Sequence, residues 1–359
     1  MSAPAPNVSI DEAKLHAFME KAVADIGAAT HAVLILIGDR LGIFKAMADS
    51  QPVSSEELAR RTGLSERYLR EWLNANAASG YMTYDAAQKT YTLPPEQALA
   101  LAVEDSPVYL PGAFQIMSSL YHDAPKLESA FRSGEGVGWH EHHHDLYQGV
   151  ERFFRPNYNA NLVASWIPAL DGVEQKLKRG AKVADVGCGL GASTILMAKA
   201  YPNSSFFGFD YHNESLALAR EAAETAGVGE RIRFEISQAK SFPGNDYDFI
   251  AFFDCLHDMG DPSGAAAHVC KALKPDGTWM IVEPFAGDAP EANHNPIGRI
   301  FYSASTLCCV PASLAQEVGA ALGAQAGEQK IRSVVTAGGF TRFRRATETP
   351  FNLVYEARP

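Results

Sequence analysis

Residues 183–194, VADVGCGLGAST, constrain this chain more than any other stretch. They open on a short apolar strand, Lys182-Val183-Ala184, and reach a carboxylate, Asp185. Gly187, Gly189 and Gly191 then fall on alternate positions. Ser193 and Thr194 begin an apolar run to Ala200 that reads as a helix. A strand, a glycine turn and a helix N-terminus make a nucleotide-type binding site. Glycine turns the backbone sharply and lets a ligand approach where a Cβ would stand.

The ligand is less constrained than the turn. Gly187, Gly189 and Ala192 satisfy G-x-G-x-x-A, so an NAD(P)-binding oxidoreductase is one reading. Asp185 opposes it, because a carboxylate two residues before the first glycine repels a pyrophosphate. An ammonium or sulfonium would be favoured there. A glycine turn that holds no ligand is the third reading.

From residue 181 onward strands and helices alternate, which implies a parallel sheet. Strands are expected near 182–185, 205–209, 231–236, 247–253 and 278–283, and helices near 193–200, 213–226 and 263–273. Residues 285–330 break the alternation with mixed helical text and read as an inserted lid. Residues 341–345 and 351–356 flank a turn at Glu348-Thr349-Pro350 and read as a closing antiparallel hairpin.

The N-terminal part has a different pattern. Residues 1–10 read as a loose start. From Asp11 to about Met47 the spacing is helical, with Leu15, Phe18, Met19, Val23 and Ile26 in register. Ala32 to Ile37 is apolar nearly all round, which places it in a core or a subunit interface. Ser54 and Glu57 form a capping box that opens a helix ending at Gly63. Ser65 caps a second helix, stopped by Gly80, and Tyr81 to Thr92 reads as a hairpin. Helix, turn, helix and hairpin make a winged helix-turn-helix. DNA binding is the sharp reading of that motif, yet four arginines and four glutamates cancel over residues 54–74. A structural or dimerising module is the expectation, within a 1–105 domain followed by a 106–359 domain. Residues 106–180 form a helical, aromatic cover in the second of these.

Charge and cysteine content narrow the partners. The net charge of −11 disfavours nucleic acid. The apolar run Ala32 to Ile37 is too short to span a bilayer, and Met1 to Pro6 lacks the pattern of a signal peptide. The five cysteines show no C-x-x-C spacing, which points to free thiols in the cytoplasm. His140, His142, His143 and His144 raise the possibility of a metal, but adjacent histidines in a loop point apart. A solvated loop, or one histidine facing a substrate pocket, is expected instead, and no metal site is assigned.

Ligands in open parallel sheets bind at the carboxyl ends of the strands. Asp210 and Tyr211 end the second strand, where an acidic group can accept ribose hydroxyls. Gln238 and Ala239 follow the third, and Asp254 and His257 the fourth. Tyr158 falls at helical spacing with Phe154 and Leu162 and is expected at the pocket edge.

VADVGCGLGAST, GFDYH and DCLHDMGDP, in this order, resemble the class I S-adenosylmethionine (SAM) methyltransferases. The N-terminal part resembles the dimerisation region of small-molecule O-methyltransferases. The match is best to a bacterial group that joins a winged helix to such a domain. The resemblance implies an α/β fold with a Rossmann-like sheet, a closing antiparallel hairpin and an N-terminal mainly helical winged-helix domain. It implies methyl transfer to a small aromatic or apolar molecule by a homodimer, with S-adenosyl-L-homocysteine (SAH) as product. By the same resemblance, Asp185 and the glycine loop hold the methionine end, Asp210 the ribose, and Gln238 and Ala239 the adenine edge. His257, in Leu256-His257-Asp258, matches a general base. Relatives carry Asp where Gln238 stands and Trp where Met259 stands. A SAM-sensing winged-helix regulator is the alternative from a different class.

Overall fold

The computed structural model describes residues 9–359. The start expected as loose lies outside the described residues as far as residue 8. The described residues form two compact units, one ending at Phe114 and the other spanning Gln115–Pro359.

In the first unit Asp11 caps the helix Glu12–Arg40, its carboxylate accepting from Ala13 and Lys14 N–H. The helix ends before Gly42, whose left-handed φ of 68° turns the chain into the short helix Ile43–Ala46. The winged-helix elements follow: helices Ser55–Thr62 and Glu66–Ala78, then strands β1 (Thr83–Asp85) and β2 (Thr90–Thr92) in an antiparallel pair. Ser54 does cap the first helix, accepting from Glu57 N–H at 3.2 Å. The reciprocal half of the expected capping box is replaced: Glu57 accepts from Arg61 Nε at 2.9 Å. Ser65 makes no side-chain cap.

The core here is Ile35, Phe44, Leu58, Leu69, Trp72 and Leu73 with their neighbours. Trp72 Nε1 donates to Leu34 O at 2.8 Å, so the burial of the indole leaves no orphan donor. Only part of the Ala32 to Ile37 run is inside: Ile35 and Leu36 are buried, Val33 and Ile37 exposed. The helix Glu12–Arg40 is, by length and composition, long and apolar enough to cross a membrane. The short apolar run alone did not convey that. Lys21 and Asp25 pair on it, and Leu15, Phe18, Val23 and Ile26 are exposed among charges.

The second unit carries a mixed seven-stranded sheet. Its strands are β3 (Lys182–Val186), β4 (Ser205–Asp210), β5 (Ile232–Ile236), β6 (Tyr247–Phe253), β7 (Leu273–Pro284), β8 (Arg342–Glu348) and β9 (Asn352–Arg358). The order is β5-β4-β3-β6-β7-β9-β8. The first five in that order are parallel, and β9 and β8 return antiparallel as the closing hairpin. Helices Ala192–Ala200, Asn213–Thr225 and Pro262–Ala272 supply the crossovers. The central strands read as near-continuous hydrophobics because both faces are covered. One face packs on Leu162, Trp166, Leu177, Met197 and Phe206, the other on Phe209, Phe242, Val269, Trp279 and Val335.

Residues 104–180 contain the helices Pro111–Ser133, Asp145–Asn161 and Val173–Arg179, with a wide π turn at Leu162–Trp166. The lid region is the helix Pro296–Ala304, a second π turn at Ser305–Cys309, and the helix Val310–Leu314. Strand order reverses at β3, so the crevice beyond its carboxyl end is where a ligand fits.

Trp279 tests the second core. It is fully buried between Phe252 and Phe340. Trp279→Ala is expected to cost about 3–5 kcal/mol. Urea unfolding should show a lower midpoint at an unchanged slope.

Candidate active site

A cavity of about 450 Å³ opens beyond the carboxyl ends of β3, β4 and β6, within the usual size for small ligands. Gly187, Cys188, Gly189, Asp210, Tyr211, Gln238, Ala239 and Asp254 line it, as does Tyr158 from the helix Asp145–Asn161. Asp185, Gly191 and His257 are not on its wall. The lid contributes Ala312, Ala315, Gln316 and Glu317.

The glycine turn is shaped by its neighbours. Gly187 has φ 74°, and a Cβ there would stand 2.7 Å from Cys255 Sγ. Its N–H and that of Cys188 both donate to Phe209 O, at 2.8 and 3.1 Å. Gly189 N–H donates to Asp210 Oδ2 at 2.9 Å. The first three N–H groups of the turn are therefore bonded within the protein.

Asp185 sits beneath that loop, 1% exposed. Ser193 and Thr194 donate their hydroxyls to its Oδ2 at 2.7 and 2.6 Å. Its Oδ1 is buried with no hydrogen-bond partner. Burial raises its pKa to about 6, against the pull of the two hydroxyls. A cationic group entering over the loop is what that orphan oxygen lacks.

Asp210 accepts from Gly189 and His212 N–H, at 2.9 and 2.8 Å, and burial still raises its pKa. Each carboxylate oxygen keeps a lone pair for a hydroxyl donor. Asp254 adopts a left-handed φ of 48°, a strained conformation for a residue with a side chain. It accepts from Tyr158 Oη at 3.0 Å and from Asn352 Nδ2 at 2.7 Å. Burial and the charge of Glu283 raise its pKa to about 7.

His257 is placed differently from a free base. Its Nδ1 lies 2.7 Å from Glu283 Oε2 and its Nε2 3.2 Å from Asp258 Oδ1. Burial opposes its charge, but Asp258 and Glu283 carry its pKa well above the ordinary value. Both ring nitrogens are engaged, and Asp258 is the member of the pair on the cavity wall.

The histidine cluster also departs from expectation. His142 is buried, with Nδ1 3.0 Å from Asp123 Oδ2. The His143 and His144 rings lie 4.0 Å apart at a 36° tilt instead of pointing apart.

Glu283, Asn352, Cys309 and the lid residues were not singled out from sequence. Glu283 and Asn352 sit at paired strand ends, Asn352 opposite Pro284, and no local motif marks them. The run of paired polar residues inside apolar strands was the available signal.

Family models match residues 29–103 as an Rv2258c-like winged HTH domain and residues 177–333 as a methyltransferase domain. The ubiquinone biosynthesis O-methyltransferase of Bordetella avium is 29% identical over 42% of this chain and 58% of its own length. The sterol 24-C-methyltransferase of Aspergillus fumigatus is 26% identical over 34% of each. The chain thus spans less than two thirds of these curated relatives. A solved O-methyltransferase of Nostoc punctiforme covers 100% of both chains, with TM-score 0.71 and 21% identity. Human N-acetylserotonin methyltransferase, solved with SAM, covers 98% of this chain and 99% of its own, with TM-score 0.70 and 16% identity. These structures share the fold. The methyltransferase-domain match sets the dinucleotide reading aside.

The buried Asp185 makes a pH test. Its folded pKa lies above the unfolded value of 3.8. The folded state therefore holds its proton more tightly. Stability is lost as pH rises from about 4 to about 6 and is constant above that. Asp185→Asn should unfold at a higher temperature than wild type at pH 8, by up to about 3 kcal/mol. It should show no such gain at pH 4 in thermal melts.

Proposed function

We propose that this chain, which joins an N-terminal winged-helix domain to a class I methyltransferase domain, is a SAM-dependent methyltransferase acting on a small aromatic molecule. The observation that carries the reading is the polar edge of the sheet. There Asp185 offers an unpartnered buried oxygen, and Asp210 and Gln238 face one cavity. The backbone of the glycine loop holds the cationic methionine end, and Asp185, buried beneath the loop, supplies negative charge from behind it. Asp210 takes the ribose hydroxyls, and Gln238 and Ala239 edge the adenine. SAM when bound supplies an activated sulfonium methyl.

The rest of the work is done by the protein. Tyr158, Phe154, Trp139, Tyr147 and Met259 give the cavity an aromatic, apolar side, which supports a flat apolar acceptor. Holding that acceptor in line with the methyl supplies most of the rate. Asp258 faces the acceptor, and His257 behind it acts as its positioning residue. Gln316 donates to Asp258 O at 2.9 Å and accepts from Gly260 N–H at 3.1 Å. Lys240 pairs with Glu317. These bonds join the lid to the strand-end loops and exclude water.

The winged-helix domain serves assembly in this reading. Arg60, Arg61, Arg67 and Arg70 each pair with a carboxylate of the same domain, which leaves little free charge for phosphates. The exposed face of Glu12–Arg40, with Phe18, Val23 and Ile26 each 64% exposed, supports a homodimer over a membrane span. Asp25 on the same helix would be costly in lipid. Five unpaired cysteines support a reducing, cytoplasmic setting.

Calorimetry with SAH tests the cofactor reading. Wild type should bind, and Asp210→Ala should bind about 10-fold or more weakly, since it loses hydrogen bonds to the ribose. Affinity should fall below about pH 6 as Asp185 takes up its proton. No SAH binding by wild type at pH 7.5 would sink the proposal.

Light scattering tests the assembly. Wild type is expected as a dimer at micromolar concentration, and Phe18→Asp with Val23→Asp as a monomer. A monomeric wild type overturns the assembly role.

A further inference from the structure

Behind the cavity wall, a nitrogen, an oxygen and a sulfur converge. His257 Nε2, Asp258 Oδ1 and Cys309 Sγ all lie within 4.8 Å of one another. Asp258 lines the cavity, while His257 and Cys309 are buried. The other ring nitrogen of His257 meets Glu283 Oε2 at 2.7 Å. Glu283 is itself held: its Oε1 accepts from Leu256 N–H at 3.2 Å.

We propose that His257, Asp258 and Cys309 form a divalent transition-metal site of the zinc type, with Glu283 as the carboxylate behind the histidine.

Several independent features of the geometry support it. With Nδ1 against Glu283, Nε2 faces a carboxylate oxygen of Asp258. Two electron-rich atoms at 3.2 Å need a proton or a cation between them. Tetrahedral zinc with bonds of about 2.0–2.1 Å places its nitrogen and oxygen ligands roughly 3.3 Å apart. The observed nitrogen–oxygen separation matches, and the Cys309 sulfur lies within 4.8 Å of both atoms. Asp258 Oδ1 is buried and meets His257 without the alignment of a hydrogen bond. A carboxylate on the far nitrogen is the usual support of a metal-bound histidine. Cys309 reaches the group because it ends the π turn Ser305–Cys309, and such widened turns recur at functional sites.

The donor set chooses the ion. One thiolate, one imidazole and one carboxylate suit zinc or cobalt and suit magnesium or calcium poorly. Three protein ligands leave a fourth position, and Asp258 puts that position toward the cavity. An acceptor oxygen or a water would complete the shell there. That last role rests on the methyl-transfer reading, whereas metal binding itself does not.

The competing occupant is a proton, which makes the pair an ordinary ion pair. A second candidate cluster, His143, His144 and Asp145, holds no thiol and serves as the control. Full-length protein freed of metal by chelation and dialysis is titrated with cobalt(II). One equivalent is expected to give visible bands of tetrahedral intensity and a near-ultraviolet thiolate-to-cobalt absorption. Cys309→Ser should abolish the near-ultraviolet band, and His143→Ala with His144→Ala should keep it. Cys308→Ser should also keep it. Glu283→Gln should weaken zinc affinity by about 10–100-fold in competition with a chromophoric chelator.

Absence of the thiolate band in wild type, or its persistence in Cys309→Ser, overturns the site. Asp258→Asn, of nearly equal volume, is the second variant should Cys309→Ser fail to fold. It must shift the visible cobalt bands, and an unchanged spectrum overturns the proposal. SAH calorimetry on the same samples separates the outcomes. SAH binding without a cobalt band rejects the metal and leaves the methyltransferase reading, and a cobalt band without SAH binding does the reverse.

Discussion

The carboxylate of Asp254 ties the polar edge of the sheet to the elements around it. It ends β6, and its oxygens accept from Tyr158 on a cover helix and from Asn352 on the closing hairpin. Asn157, one position before Tyr158, donates to Asn352 Oδ1 at 2.7 Å. Sheet, cover and hairpin therefore meet through one half-buried acid. Such a network is worth keeping only when every member is satisfied, since an unpaired polar group at this depth costs about 1–3 kcal/mol. The strained φ of Asp254 is held in place by these partners.

The same edge concentrates negative charge. Asp185, Asp210, Asp254, Asp258 and Glu283 stand at or beneath the ends of adjacent parallel strands, Asp185 and Glu283 buried and the other three half-buried. Burial raises the pKa of Asp185, Asp210 and Asp254, so this side of the sheet gives up stability that a cationic ligand can restore. The proposed cofactor site and the proposed metal site both draw on this imbalance. The first offers a carboxylate under a glycine turn. The second offers a carboxylate beside an imidazole and a thiol.

The lid and the aromatic cover define what may enter. Residues 312–317 reach across to the strand-end loops through Ser313, Gln316 and Glu317. Phe154 and Tyr158 stack on each other at 5.9 Å and line the same cavity. The polar half of the cavity belongs to the sheet, and the apolar half to helices from distant parts of the chain. The fold is shared with proteins at 16–21% identity, and fold alone does not fix what the apolar half of the cavity receives.

The alternation of strands and helices, the glycine turn, the Asp210 position and the winged-helix order were legible in the sequence. Each is a local pattern with a fixed period or spacing, and local patterns survive without knowledge of the partner. Boundaries agreed within a residue or two for β3, β4, β5 and β6 for that reason. The fates of individual polar atoms were not legible. The motif alone makes His257 a base, yet Glu283 arrives from β7 and Cys309 from the lid to engage it. Glu57 prefers Arg61 to its own cap. His142 turns inward because Asp123, on the helix Pro111–Ser133, supplies an acceptor. Those outcomes depend on contacts between residues far apart in the chain, and only the folded arrangement brings their charges close enough to decide which proton, or which ion, each group holds.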